Sequence, residues 1–388
     1  MRTAYRLGMQ WKFILLIFLG VLFLLGCEET PITVDPYSAV KTAMCDKQVV
    51  LLGEGSSHDE GATNEFKSKL ARDLIQDCGF SLLVFESSFY QFVDLNRKLS
   101  VDQQISREEI SASIGGLWAN QVETEPLVKF FHEAANDRQV IIAGMDDQIG
   151  GRGQDYANFE LPAELTEGLK TEQQTKCRSA IKKHVYWAYG DSDRYDASKK
   201  QFILSCLEAT DDREDAQMAA MRASLIRDFQ RDLLGDEAHY TGRASSMYDN
   251  FEYWFDNLGK PKTIVWSATV HAAKKGRLSP SFGEMVQNRF GNDAYTVGFS
   301  ALSGTRGRPG RDVIALPEAP DTAIEAIVFK YTEDDIIFVN SKNLAAFGAA
   351  PAAALTNTYE SQNWALELDG LIVFRTQRPQ TLMPISKE

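Results

Sequence analysis

Glu54, His58, Glu86, Asp146 and His271 are the residues best suited to acid–base chemistry, because each follows an apolar run with the length of a buried strand. Glu54 and His58 follow Val49–Gly53, and Glu86 follows Leu82–Phe85. Asp146 and Gln148 follow Val140–Met145. His271 closes Trp266-Ser267-Ala268-Thr269-Val270-His271 after Thr263–Trp266. Open parallel sheets bind ligands beyond the carboxyl ends of their strands, so four such ends carrying acids or imidazoles point to one shared site. A neutral imidazole serves as a base near neutral pH, and a carboxylate beside it fixes its tautomer and stabilises the imidazolium. That pair activates a water held within hydrogen-bond reach. The same side chains could ligate Zn²⁺ or Mn²⁺. Other chemistries lack their signatures. There is no Gly-x-Ser-x-Gly, no P-loop and no dinucleotide fingerprint, and His132-Glu133 lacks the second His of a zinc protease.

The elements that must position these residues alternate in type. Ala62–Cys78 has helical spacing at Phe66, Leu70, Leu74 and Ile75 and stops at Gly79. Leu127–Ala135 belongs to the helix before the third strand. Strands separated by helix-length intervals predict an α/β fold, a mainly parallel sheet flanked by helices. Residues 150–242 are charged, helically spaced and free of β-branched strands, which predicts a helical insertion forming a cleft wall. Tyr186, Trp187 and Tyr189 within it are expected to pack between helices, and His184 and His239 to be structural or exposed. The α/β core is accordingly assigned to 41–149 and 243–388.

The chain has 388 residues and a formal net charge of −13. With no basic block against that acidic excess, nucleic acid is not an expected partner. The first 26 residues contain no acid. Arg2, Arg6 and Lys12 precede the apolar run Phe13–Leu25, which is short for a membrane span but fits a signal-peptide core. Leu24-Leu25-Gly26-Cys27 resembles the lipobox of bacterial lipoproteins. The expectation is a signal peptide over 1–26, lipidation at Cys27, a tether over 27–40 and attachment to the cell envelope. Glu28 in place of Asp favours the outer membrane in a Gram-negative cell. An extracytoplasmic site permits disulfides. Cys45 precedes a strand and Cys78 ends the next helix, while Cys177 and Cys206 lie on consecutive helical segments. The expected pairs are Cys45–Cys78 and Cys177–Cys206.

Several segments resemble, in order, the erythromycin esterase family. They are Gly53-Glu54-Gly55-Ser56-Ser57-His58, Asp59-Glu60-Gly61-Ala62-Thr63, Cys78-Gly79-Phe80 through Phe85-Glu86-Ser87, and Trp118 with Glu125. Ala143-Gly144-Met145-Asp146-Asp147-Gln148, then Arg243, Met247 and Asn250, then Trp266 to His271, Phe282-Gly283-Glu284 and Trp364 to Gly370 continue the order. The resemblance implies an α/β core with a helical bundle and hydrolysis of a carboxylic ester or lactone without an obligatory metal or cofactor. It implies His58 as general base, Glu54 and Glu86 as its orienting carboxylates, and His271 as a further catalytic group. Asp146, Gln148, Arg243, Lys67 and Trp266 are the expected substrate contacts. The sequence departs from the family pattern at three points: three residues separate Glu54 from His58 instead of two, Ala268-Thr269 replaces a His-Asn pair, and Lys67 stands where macrolide-cleaving members have Arg. The alternative is a non-catalytic haem- or metal-binding surface lipoprotein of the same broad superfamily.

Overall fold

The computed structural model describes residues 35–149, 154–209, 215–277 and 279–384. The expected signal peptide, Cys27 and the tether up to residue 34 lie outside the described residues. The first described helix, α1 (Pro36–Cys45), buries Val40 and Met44 and so corrects the tether, because 36–40 are already part of the packed fold.

Four strands form where the apolar runs predict them: β1 (Val49–Leu52), β2 (Leu82–Ser88), β3 (Ile141–Asp146) and β4 (Thr263–Trp266). β2 and β3 run further than expected and carry Glu86 and Asp146 within their last residues. Between β1 and β2 runs α2 (Gly61–Cys78), ended by Gly79 in the left-handed region at φ 75°. α3 (Phe89–Ser100), α4 (Arg107–Ile114) and α5 (Glu125–Asn136) lead from β2 to β3. The sheet continues beyond the predicted strands with β5 (Ala294–Arg306), β6 (Ile314–Ala315) and β7 (Ile336–Asn340). β8 (Ala349–Ala352) and β9 (Glu360–Asn363) form a separate hairpin, and β10 (Gly370–Gln377) returns to the sheet. Its order is β3-β2-β4-β1-β5-β10-β7, with only the β10–β7 pair antiparallel along that path. β3, β2, β4 and β1 are therefore neighbours, and their carboxyl ends line up along one edge.

Burial on both faces explains why these strands read as continuous apolar runs rather than alternating ones. Along β10, Ile372 and Phe374 join the main core while Leu371 and Val373 join a second cluster with Ile324, Val339 and Trp364. Alternate residues thus fill opposite faces.

The insertion is helical as expected: α6 (Leu161–Glu164), α7 (Thr171–Val185), α8 (Ala197–Glu208), α9 (Ala216–Arg231) and α10 (Asp236–Asn257). One boundary moves, since α10 runs unbroken through the expected junction at 242/243. Its second half packs on β3, where Asn250 Nδ2 donates to the Met145 carbonyl at 3.0 Å and Trp254 Nε1 to that of Gly144 at 2.8 Å. Both expected disulfides form, Cys45–Cys78 tying α1 to α2 and Cys177–Cys206 tying α7 to α8. His184 is buried against Phe229, Tyr195 and Trp187, and that burial pushes its pKa down. Tyr186 and Trp187 keep one side exposed because α7 ends at Val185 and Trp187 turns into the left-handed region, yet Tyr186 packs on Phe159, and Trp187 and Tyr189 pack on His184 of α7. Among the described residues no helix is long and apolar enough to cross a membrane.

Candidate active site

The loop after β1 shapes the first half of the site. His58 N donates to the Gly55 carbonyl at 2.9 Å, closing a tight turn, and His58 adopts φ 54°. A non-glycine residue in that region is uncommon and needs support from its surroundings. Gln380 supplies it by donating from Nε2 to the His58 carbonyl. The left-handed step absorbs the extra residue between Glu54 and His58, and Nδ1 of His58 meets Glu54 Oε1 at 2.7 Å. The altered spacing therefore preserves the pair.

Glu54 is fully buried and accepts two further donors: Trp118 Nε1 at 2.6 Å on Oε1 and Lys67 Nζ at 2.7 Å on Oε2. Burial alone pushes its carboxyl up, but the Lys67 charge and the His58 hydrogen bond outweigh this and hold it below the usual range. Burial likewise opposes the imidazolium of His58. The Glu54 hydrogen bond and the Glu86 and Glu54 charges overcome it, so the pKa of His58 is raised. Lys67 is pushed down to about 8, chiefly by its own burial. With Nδ1–H donated to Glu54, the lone pair of His58 is on Nε2, and the ring borders the cleft.

The second half comes from β2, β3, α10 and the turn after β4. Arg243 donates from Nε to Asp146 Oδ1 at 3.1 Å, and from Nη2 to Asp146 Oδ2 at 2.7 Å and Glu86 Oε1 at 3.2 Å. His271 Nε2 lies 3.2 Å from Glu86 Oε1 and 3.3 Å from Arg243 Nη1. The backbone N–H of Ala268 donates to Glu86 Oε2 at 2.8 Å. A backbone donor thus serves Glu86 at the very position where the family pattern has a histidine. Burial opposes ionisation of Glu86, but the charge and hydrogen bond of His271, aided by His58 and Arg243, hold it well below the usual carboxylate range.

His58, Glu86, Asp146, Gln148, Arg243 and His271 all border one cleft of about 680 Å³. A contiguous cavity of about 630 Å³ shares Glu86, Asp146 and Gln148 with it. Lys67 and Trp266 do not reach either space. Both are fully buried, with the Lys67 ammonium 4.3 Å above the Trp266 ring, so they support Glu54 from behind and do not contact a substrate. Sequence reasoning missed the role of Trp118, which was visible only as part of a resemblance, and missed Gln380 altogether. Gln380 acts on His58 across 322 positions of chain, and no local motif marks it. Among the described residues no group of three or more His, Cys, Asp or Glu side chains is arranged to hold a metal ion.

A mainly parallel α/β sheet thus carries a buried carboxylate–imidazole pair at its carboxyl edge, an arrangement suited to general-base chemistry. The chain belongs to the erythromycin esterase family, whose sequence profile matches residues 75–376. That stretch includes Glu86, Asp146, Arg243 and His271, whereas Glu54 and His58 precede it. A Bacillus subtilis (strain 168) relative named "Putative hydrolase YbfO" is 21% identical, covering 89% of this chain and 87% of its own. The fold is similar to that of a succinoglycan biosynthesis protein (TM-score 0.69, 15% identity, 89% of this chain and 91% of the other). It is also similar to an erythromycin esterase, EreC, in its open conformation (TM-score 0.64, 13% identity, 89% and 95%).

Proposed function

We propose that the protein hydrolyses a carboxylic ester or lactone by water activated at His58. The observation that carries this reading is the Glu54–His58 pair facing the Glu86–His271–Arg243–Asp146 cluster across one cleft. Nε2 of His58 removes a proton from water while the oxygen attacks the ester carbonyl carbon. His271 and Arg243 are the donors available to the oxyanion of the tetrahedral intermediate. Collapse breaks the bond to the alkoxy oxygen, the imidazolium returns its proton to that oxygen, and acid and alcohol leave. His58→Ala should abolish turnover of a responsive ester while circular dichroism stays native. Undiminished turnover would remove His58 as the base.

We further propose that the protein is held on the bacterial envelope by a lipid at Cys27. An apolar leader ending in Leu-Leu-Gly-Cys supports it, as does an acidity that disfavours anionic headgroups. Cys27→Ala should move the protein out of the membrane fraction and end incorporation of labelled palmitate; unchanged labelling would refute the site.

A further inference from the structure

The cavity beside the catalytic cleft carries a feature that ester hydrolysis does not use. Gly307-Arg308-Pro309-Gly310-Arg311 follows β5, and Arg308 and Arg311 both line that cavity. Arg311 N donates to the Arg308 carbonyl at 3.0 Å, and Gly310 has φ 74°. With proline second and a positive-φ glycine third, this is a type II turn, which sets its first and fourth residues side by side. Two arginines, one residue pair of a single turn, thus both line the cavity.

Their lack of counter-charge is notable in a chain whose acids outnumber its bases. The other arginines around the cleft are neutralised: Arg243 by Asp146 and Glu86, Arg277 by Glu360 and Arg306 by Asp59. Among the described residues, Arg308 and Arg311 form no ion pair. Arg308 donates from Nε to the Ser57 carbonyl at 2.9 Å, which fixes its stem and leaves both terminal nitrogens available. Glu86 and Asp146 also line this cavity but are paired with Arg243, so the arginine turn carries its unneutralised charge.

We propose that the Arg308–Arg311 turn is a subsite for an anionic oxygen group, a carboxylate, phosphate or sulfate, carried by the ester substrate. This rests on the ester-hydrolase reading and names the substrate class within it. The paired guanidinium groups hold the anion by charge-assisted hydrogen bonds, and the neutral ester reaches along the shared wall to His58. Because Arg308 is bonded to the residue before His58, an anion seated there also steadies the loop bearing the base.

The test has two arms. Calorimetry of the folded protein with succinate, inorganic phosphate and sulfate, each alone, reads the subsite without catalysis. At least one anion should bind, and Arg308→Gln and Arg311→Gln should each weaken it about tenfold, with Lys342→Gln as a surface control. Preference among the three probes identifies the anion. Failure of all three to bind, or binding indifferent to both substitutions, overturns the proposal. The second arm compares kcat/KM for an aryl glutarate monoester and its methyl-capped diester. The free acid should be favoured by about tenfold or more, a ratio that falls towards one in Arg308→Gln/Arg311→Gln and at high ionic strength. A wild-type ratio near one overturns the substrate class. If no ester is turned over at all, the hydrolase reading fails and the calorimetric arm alone decides the subsite.

Discussion

Replacing Glu54 with Gln tests the heart of the proposed chemistry. The carboxylate accepts three donors at 2.6–2.7 Å, from His58, Trp118 and Lys67. An amide can keep its oxygen towards His58 and Trp118 only by turning its N–H₂ towards Lys67. Lys67, already pushed down to about 8, then accommodates it as a neutral amine. The tautomer of His58 survives, but the negative charge that stabilises its imidazolium is gone. Two unit charges about 4 Å apart interact by about 4 kcal/mol at an effective dielectric near 20. Relaxation trims this to about 3 kcal/mol, which corresponds to a loss of roughly 10²-fold in kcat. The pH profile should move as well. In the wild type, Glu54 and Glu86 raise the pKa of His58 against the effect of burial, so the rising limb lies above pH 6.5, the ordinary imidazole value. In Glu54→Gln, burial still pushes down and less opposes it, so the limb shifts to lower pH while the plateau drops. Steady-state hydrolysis of a responsive ester from pH 5 to 9, with near-ultraviolet circular dichroism as the fold control, reads both effects. A plateau within about threefold of wild type, or a limb that moves to higher pH, would show that Glu54 does not act on His58 as described.

Three other outcomes follow from the same geometry. Arg243→Met strands the buried Glu86 and Asp146, with an expected cost of about 3–5 kcal/mol at pH 7. Because Glu86 is held below its unfolded pKa, the stability this contributes is present above that value and lost as pH falls through the folded one. The gap between variant and wild type in urea unfolding should therefore shrink on acidification, and an equal gap at pH 7 and pH 4 would contradict the assignment. Gly55→Ala places a methyl group against the buried Glu60 carboxylate and Asn357 amide, so those side chains or the turn carrying His58 must shift. Activity should fall more steeply than thermal stability, and native kcat would show the turn to be tolerant. Cys177→Ser/Cys206→Ser removes a cross-link closing a loop of 29 positions and should lower stability by about 3 kcal/mol, read as a lower Tm; an unchanged Tm would show that the bridge is energetically idle.

The predicted strands were legible because burial on both faces makes each a short continuous apolar run, and the acids at their ends were legible because they interrupt those runs. β5, β7 and β10 were harder to see. β5 mixes Gly298, Ser300, Ser303 and Gly304 into its length, while the apolar runs Ile336–Val339 in β7 and Leu371–Phe374 in β10 are followed by no acid or imidazole that would mark them as part of a site. Arg243 and His271 could be named from sequence, but not their shared contact with Glu86. Lys67 illustrates the opposite error: the family resemblance implied a substrate contact, whereas its ammonium points into the core to meet Glu54. The left-handed turn at His58 has no local signal either, since it is held by Gln380 from the far end of the folded chain.

The continuity of α10 constrains how the cleft can change width. Its 22 residues form a rod about 33 Å long, with Tyr240 and Arg243 on the cleft and Asn250 and Trp254 clamped to β3. A wall built on such a rod has no pivot where insertion meets core. Widening on this wall swings the rod as a lever about its clamped end, which would draw the Arg243 guanidinium off Asp146 and Glu86. Displacement of this wall and loss of the proposed oxyanion-stabilising group are then one mechanical event, so a ligand that props the rod outward would also disarm the site.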